Sequence, residues 1–193
     1  MLIPSTKQKG FTIVELLIVI VVIAILAAIT IVAYNGIQQR AKNTAIISAA
    51  KSTIGVINAY VAANGSYPSK LNSTVICLTT TSGCAISSTT YGGNSTLDTN
   101  LATMGTVPRS IPMNTGSHYG VLYDYGSSRT YDGTVQPVIV YYWLDGTAQQ
   151  CGLSGVVSDW ATGGAPSTTG YTAANDTSSG RTLCAIHVAG PTS

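Results

Sequence analysis

Charge is what this chain has least of. Only 8% of its 193 residues are Asp, Glu, Lys or Arg, against roughly 25% in an ordinary globular domain. A nucleic-acid binder needs many Lys and Arg to meet phosphates, so that class is not supported. Disorder is not supported either, because 45% of the residues are apolar, and disordered chains are poor in such residues. Proline is missing from the whole stretch between Pro4 and Pro68, so nothing there forbids a long helix. No Walker A loop, G-x-G-x-x-G, H-E-x-x-H or EF-hand pattern occurs, and no C-x2-C or H-x3-5-H spacing suggests zinc. The sequence thus implies no cofactor and no metal. It has no G-x-S-x-G elbow, and its two histidines, His118 and His187, stand 69 positions apart. Both read as ordinary strand residues, and the chain does not read as an enzyme.

Hydrophobicity is concentrated at one end. From Phe11 to Ala33 only Thr12, Glu15 and Thr30 are not apolar, and from Leu16 to Gln39 no side chain is charged. About 20 apolar residues in a helix cross a bilayer core of about 30 Å. A secretory signal has an apolar stretch of about 7–15 residues followed by a cleavage site. This stretch is longer, and a helical pattern continues beyond it, so removal by ordinary signal peptidase is the second choice. Ile47, Ala50, Ile54, Ile57 and Val61 recur at helical spacing. Phe11 to about Ala63 therefore reads as one helix, on the order of 80 Å long, ended by Asn64-Gly65. Its first half is apolar all round and suits lipid or other apolar helices. Its second half has one stripe and suits a globular domain.

From Ser66 onward the composition shifts to Ser, Thr, Gly, Asn and Tyr. Strands are expected at His118–Tyr125, Val135–Leu144 and Leu183–Val188, with Ser66–Gly116 and Gly152–Arg181 mostly loop. The fold class expected is α+β: a long helix packed on a small antiparallel sheet. The expected organisation is a leader at 1–10, a membrane half-helix at 11–33, a second half-helix at 34–65 and a β domain at 66–193. Trp143 and Trp160 read as packing anchors. Asn64, Asn72, Asn94 and Asn175 open N-x-S/T triplets, which a chain so rich in these residues produces by chance. Four cysteines, Cys77, Cys84, Cys151 and Cys184, suggest disulfides in an oxidising compartment and allow three pairings. The pairing preferred is Cys77 with Cys84, closing a short loop, and Cys151 with Cys184, tying a long loop to the last strand.

The junction before the apolar run carries the functional motif: Lys7-Gln8-Lys9-Gly10-Phe11-Thr12-Ile13-Val14-Glu15. It resembles the processing signal of type IV pilins and pseudopilins: a short basic leader ending in Gly, then a hydrophobic residue, then Glu five residues after the cut. The resemblance is close from Lys7 through Tyr34 and is one of layout alone beyond Gly65. It implies cleavage after Gly10 by a prepilin peptidase and N-methylation of Phe11. Lys7 and Lys9 would hold the leader in the cytoplasm. Glu15 would neutralise the N-terminal charge of a neighbouring subunit, because an unpaired carboxylate in an apolar core is costly. The partners implied are copies of the chain in a filament, the peptidase, a membrane assembly platform with an external motor, and cytoplasmic membrane lipid before assembly. The location implied is the bacterial cytoplasmic membrane, crossed once with the C-terminal domain outside, and then the cell-surface pilus. The rivals are a minor pilin or secretion pseudopilin, and a simple membrane-anchored binding domain.

The charges divide unevenly about this junction. The leader holds two of the nine basic residues, and the chain from Ser66 has four basic and six acidic ones. The formal net charge of +2 therefore belongs to the leader and the helix.

Overall fold

A computed structural model describes residues 10–72, 74–79, 83–87, 89–110, 118–131, 134–157, 175–176 and 180–190. The chain divides into two units, up to Arg40 and from Ala41, and helix α1 (Ile13–Asn64) contributes to both. The helix begins at a Thr cap and ends at Gly65. There φ is +60° and the Gly65 N–H donates to the Val61 carbonyl at 2.9 Å. Glycine adopts this left-handed cap without steric cost. In the first unit the apolar side chains of α1 are exposed along its length, from Ile13 to Ile37.

The second unit is built on an antiparallel sheet. Its strands are β1 (Thr74–Cys77), β4 (Val121–Tyr125), β7 (Val138–Asp145), β8 (Val156–Val157), β9 (Asn175–Asp176) and β10 (Arg181–Val188). They run in the order β1-β4-β7-β10-β8, with β9 also on β10. Two small hairpins stand apart from it: β2 (Cys84–Ile86) with β3 (Thr89–Tyr91), and β5 (Thr130–Tyr131) with β6 (Thr134–Val135). A short helix, α2 (Ser95–Ala102), follows β3. This is an α+β architecture, a long helix with a small antiparallel sheet.

Strand alternation sorts the sheet into two faces. The inner face carries Ile76, Val121, Tyr123, Val140, Tyr142, Leu144 and Ile186, and it packs with Ile46, Ala49, Ala50, Ile57 and Val61 of α1 in the main core. The buried stripe lies slightly around the helix from the one the spacing suggests: Ile47 and Ile54 are half-buried, while Asn43 and Thr53 are buried. Both polar side chains are satisfied. Asn43 Nδ2 donates to the Asp145 carbonyl at 3.0 Å, and its Oδ1 accepts from the Asp145 N–H at 2.9 Å. Thr53 Oγ1 donates to the Ala49 carbonyl at 2.8 Å within the helix. Buried tyrosines are treated alike: Tyr142 donates to the Cys151 carbonyl at 2.7 Å and Tyr123 to the Ser69 carbonyl at 2.6 Å. A buried hydroxyl without a partner would cost roughly 1–3 kcal/mol.

Several expectations change. The strand expected from His118 begins at Val121, because Gly120 takes φ +99° and Tyr119 instead pairs with Ala85. The strand expected from Val135 begins at Val138, after Pro137, which has no N–H for the ladder. The last strand starts earlier than expected, at Arg181. The Ser66–Gly116 stretch, expected to be loop, contains β1, the β2–β3 hairpin and α2. Asn94 there is a helix cap: its Oδ1 accepts from the Leu97 N–H at 2.9 Å.

Gly120 is required by its neighbours. An added Cβ would stand 2.2 Å from Cys84 Sγ, and the backbone angle alone disfavours a side chain. Gly120→Ala should lower unfolding stability by about 2–4 kcal/mol, read as an earlier urea midpoint with intact disulfides. His187 supplies a pH dependence. Burial holds its imidazole below the ordinary value of 6.5, against the pull of the Gln136 carbonyl, and Arg129 adds to the depression. The unfolded chain thus binds this proton more readily, so stability is full above about pH 6.5 and falls as pH drops through the lower folded value. His187→Gln should flatten the urea-midpoint profile between pH 7 and pH 5.

Candidate functional site

The site starts at the polypeptide in front of α1. Gly10, Phe11 and Thr12 are not helical, so the Gly10–Phe11 bond lies in an accessible stretch. Phe11 is 83% exposed. A Cβ added at Gly10 would meet nothing within 4 Å. None of the described residues therefore asks for glycine there, unlike at Gly120.

Thr12 stops this stretch and starts the helix. Its Oγ1 accepts from the Glu15 N–H at 3.2 Å, while Glu15 Oε2 accepts from the Thr12 N–H at 2.8 Å and from the Thr12 hydroxyl at 2.8 Å. This is a reciprocal capping box, T-x-x-E, and it satisfies two backbone donors at the helix start. A carboxylate there also faces the positive end of the helix dipole. Glu15 thus has a partner inside its own chain. Thr12 was not among the residues singled out from sequence, although the [ST]-x-x-[DE] pattern ahead of an apolar run was there to be read.

Beyond Glu15 the helix presents apolar side chains on every side. Leu16, Leu17, Ile18, Val19, Ile20, Val21, Val22 and Ile23 are all about half exposed or more. Burial of one such side chain is worth roughly 1.5–3 kcal/mol, so the run as a whole amounts to tens of kcal/mol left unclaimed. The helix is long and apolar enough to cross a membrane.

The leader charges Lys7 and Lys9 lie outside the described residues, as does Trp160. The cysteines form Cys77–Cys84 and Cys151–Cys184 disulfides. The first lies on the outer face of the sheet and the second in the main core. Trp143 is buried on the outer face, and His118 lies beside it with ring centroids 5.3 Å apart. Among the described residues no group of three His, Cys, Asp or Glu is placed to hold a metal. All three arginines beyond Ser66 are engaged with aspartates: Arg109 with Asp98 and Arg129 with Asp124, each at under 3 Å, and Arg181 with Asp145 at 3.4 Å.

Comparison with known proteins places a family match on this segment. The family described as "Prokaryotic N-terminal methylation motif" matches residues 5–31. A fimbrial protein of Neisseria meningitidis serogroup A is 36% identical over 76 residues, which is 39% of this chain and 45% of that protein. A type IV major pilin protein, PilE1, of Neisseria gonorrhoeae is 38% identical over 64 residues, 33% of this chain and 39% of that one. The fimbrial protein EcpC of Eikenella corrodens is 39% identical over 61 residues, 32% and 40% of the two chains. The chain spans less than half the length of these curated relatives. No solved structure matches it.

Proposed function

We propose that this chain, whose residues 5–31 match the prokaryotic N-terminal methylation motif and part of which is similar to a fimbrial protein and a type IV major pilin, is the precursor of a structural subunit of a pilus-like filament and not an enzyme. The observation that carries the reading is the pairing of two features. One is an exposed, non-helical Gly10–Phe11 junction, and the other is a capped helix whose first half is apolar on every face. A peptidase at the cytoplasmic membrane surface hydrolyses the Gly10–Phe11 bond, leaving a carboxylate on Gly10 and a new amine on Phe11, which is then methylated. The demand for glycine comes from this enzyme, whose active site must approach the backbone closely. Until it is used, the subunit rests in the cytoplasmic membrane, crossing once through Phe11–Ala33 with the sheet domain outside. A membrane platform and its motor then move it into the filament.

Assembly exchanges lipid for neighbouring apolar helices, so the solvent around these side chains changes little. Direction and register come from charge. Glu15 stands four residues after the Phe11 amine and, in the filament, pairs with the amine of a neighbouring copy, since neither charge is tolerated alone in an apolar core. The capping box means that Glu15 keeps a partner before that neighbour arrives. The names of the Neisseria gonorrhoeae relatives, which are major pilins, favour a bulk subunit over a minor pilin or pseudopilin.

Glu15→Gln separates the two roles of this side chain. Gln still closes a capping box, but it carries no charge. Cleavage after Gly10 should proceed near the normal rate in both Glu15→Gln and Glu15→Ala, and sheared filament yield should fall about tenfold or more in both, one missing charge pair being worth over ~1.4 kcal/mol. Normal filaments from Glu15→Gln alongside failure of Glu15→Ala would show that the cap, and not the charge, is what assembly requires.

A further inference from the structure

The outer face of the sheet is not solid. Val75 of β1, Trp143 and Tyr141 of β7 and Leu183 of β10 form the floor of a cavity of about 290 Å3, walled by Ile86, Tyr91 and His118. Two of the wall residues belong to the β2–β3 hairpin, and that hairpin is held over the sheet by three separate ties. The Cys77–Cys84 disulfide anchors its first residue. Ala85 and Tyr119 exchange backbone hydrogen bonds, each at 3.1 Å. The Ser87 N–H donates to His118 Nε2 at 3.1 Å, with Ser87 itself held at φ +55°. That angle is the one a two-residue hairpin turn requires. The rings are also fixed with respect to one another: Trp143 meets Tyr141 edge to face at 5.5 Å and His118 at 5.3 Å.

We infer that this cavity is a binding site for a neutral, flat ring compound of one or two fused rings. Size and lining both point to that class. Ligand pockets begin near 300 Å3, and an apolar cavity of about 150 Å3 holds one benzene ring, so this one fits a bicyclic molecule and nothing much larger. Among the described residues no Asp, Glu, Lys or Arg lines it, which favours an uncharged ligand, since a buried charge needs a partner. A sugar ring fits poorly, because its many hydroxyls would face mostly hydrocarbon and lose their hydrogen bonds to water. Aromatic edges and faces suit another aromatic ring, and the few polar groups around the rim, an imidazole, two phenols and an indole N–H, can orient one heteroatom. The site belongs to the sheet domain and does not depend on polymerisation.

Indole is the probe. The full chain, cleaved and in detergent micelles, is labelled with 5-fluorotryptophan and carries Trp160→Phe, so that Trp143 alone gives the fluorine signal. Indole should shift that signal saturably, with a Kd of about 0.1–1 mM for so small a ligand. Val75→Phe, which fills the cavity from an edge strand, should weaken binding about tenfold or more. Intermolecular NOEs from indole to the methyls of Val75, Ile86 and Leu183 in the chain with Val75 intact give a readout that does not depend on the variant folding. A shift that rises linearly and equally in both proteins is partition into micelles and overturns the inference, as do absent NOEs. A tighter saturable response to methyl glucoside would make the cavity a sugar site and overturn it too.

Discussion

Everything in this protein turns on an uncovered apolar helix. From Phe11 to Ile37 the chain carries almost nothing but hydrocarbon, and its own fold covers none of it. In water this would forfeit tens of kcal/mol, several times the net stability of an ordinary domain. Such a segment can exist only where something else supplies an apolar medium. A bilayer does so for one copy, and a bundle of the same helices does so for many. The two environments are close in free energy, which on the proposed reading would let a subunit pass from one to the other. On the proposed reading, the single carboxylate in the run is not equally at ease in both, because only the bundle would offer it a neighbouring amine.

The second unit settles its own needs without reference to the first. The later turns of α1 change from apolar all round to one buried stripe, and the sheet closes over that stripe. Its polar atoms are accounted for locally: Asn43 pairs with the backbone at the end of β7, and buried tyrosines reach carbonyls. The three arginines of the region are each engaged with an aspartate. A surface so short of net charge and rich in Ser, Thr and Asn can lie beside copies of itself without strong repulsion. The scarcity of charge that first argued against a nucleic-acid partner thus suits close packing of subunits.

The long elements were legible because each repeats one physical pattern many times. A run of more than 20 apolar residues and a 3.6-residue stripe leave little choice, and the β-branched Val138–Leu144 segment is nearly as plain. The short elements were not legible. Thr74–Cys77 and the β2–β3 hairpin are strands because a disulfide and the neighbouring β4 hold them, and three or four residues carry no period of their own. Asn94 and Thr12 acted as caps, but one was read as part of a chance triplet and the other passed over beside the more conspicuous Glu15. The outer-face cavity could not be foreseen at all, since it joins residues from five separate segments. Gly10 was singled out from motif alone. What the structure added is that no described neighbour requires it.

The central claim is that the Gly10–Phe11 junction is cut to release a helix for assembly. It is tested most directly by the intact mass and N-terminal fragment spectrum of the protein isolated from its native membrane. The account predicts a chain beginning at Phe11, heavier by one methyl group on the α-amine. A chain that still begins at Met1, or one cut within or after the apolar run near Ala28 or Ala33, would contradict it.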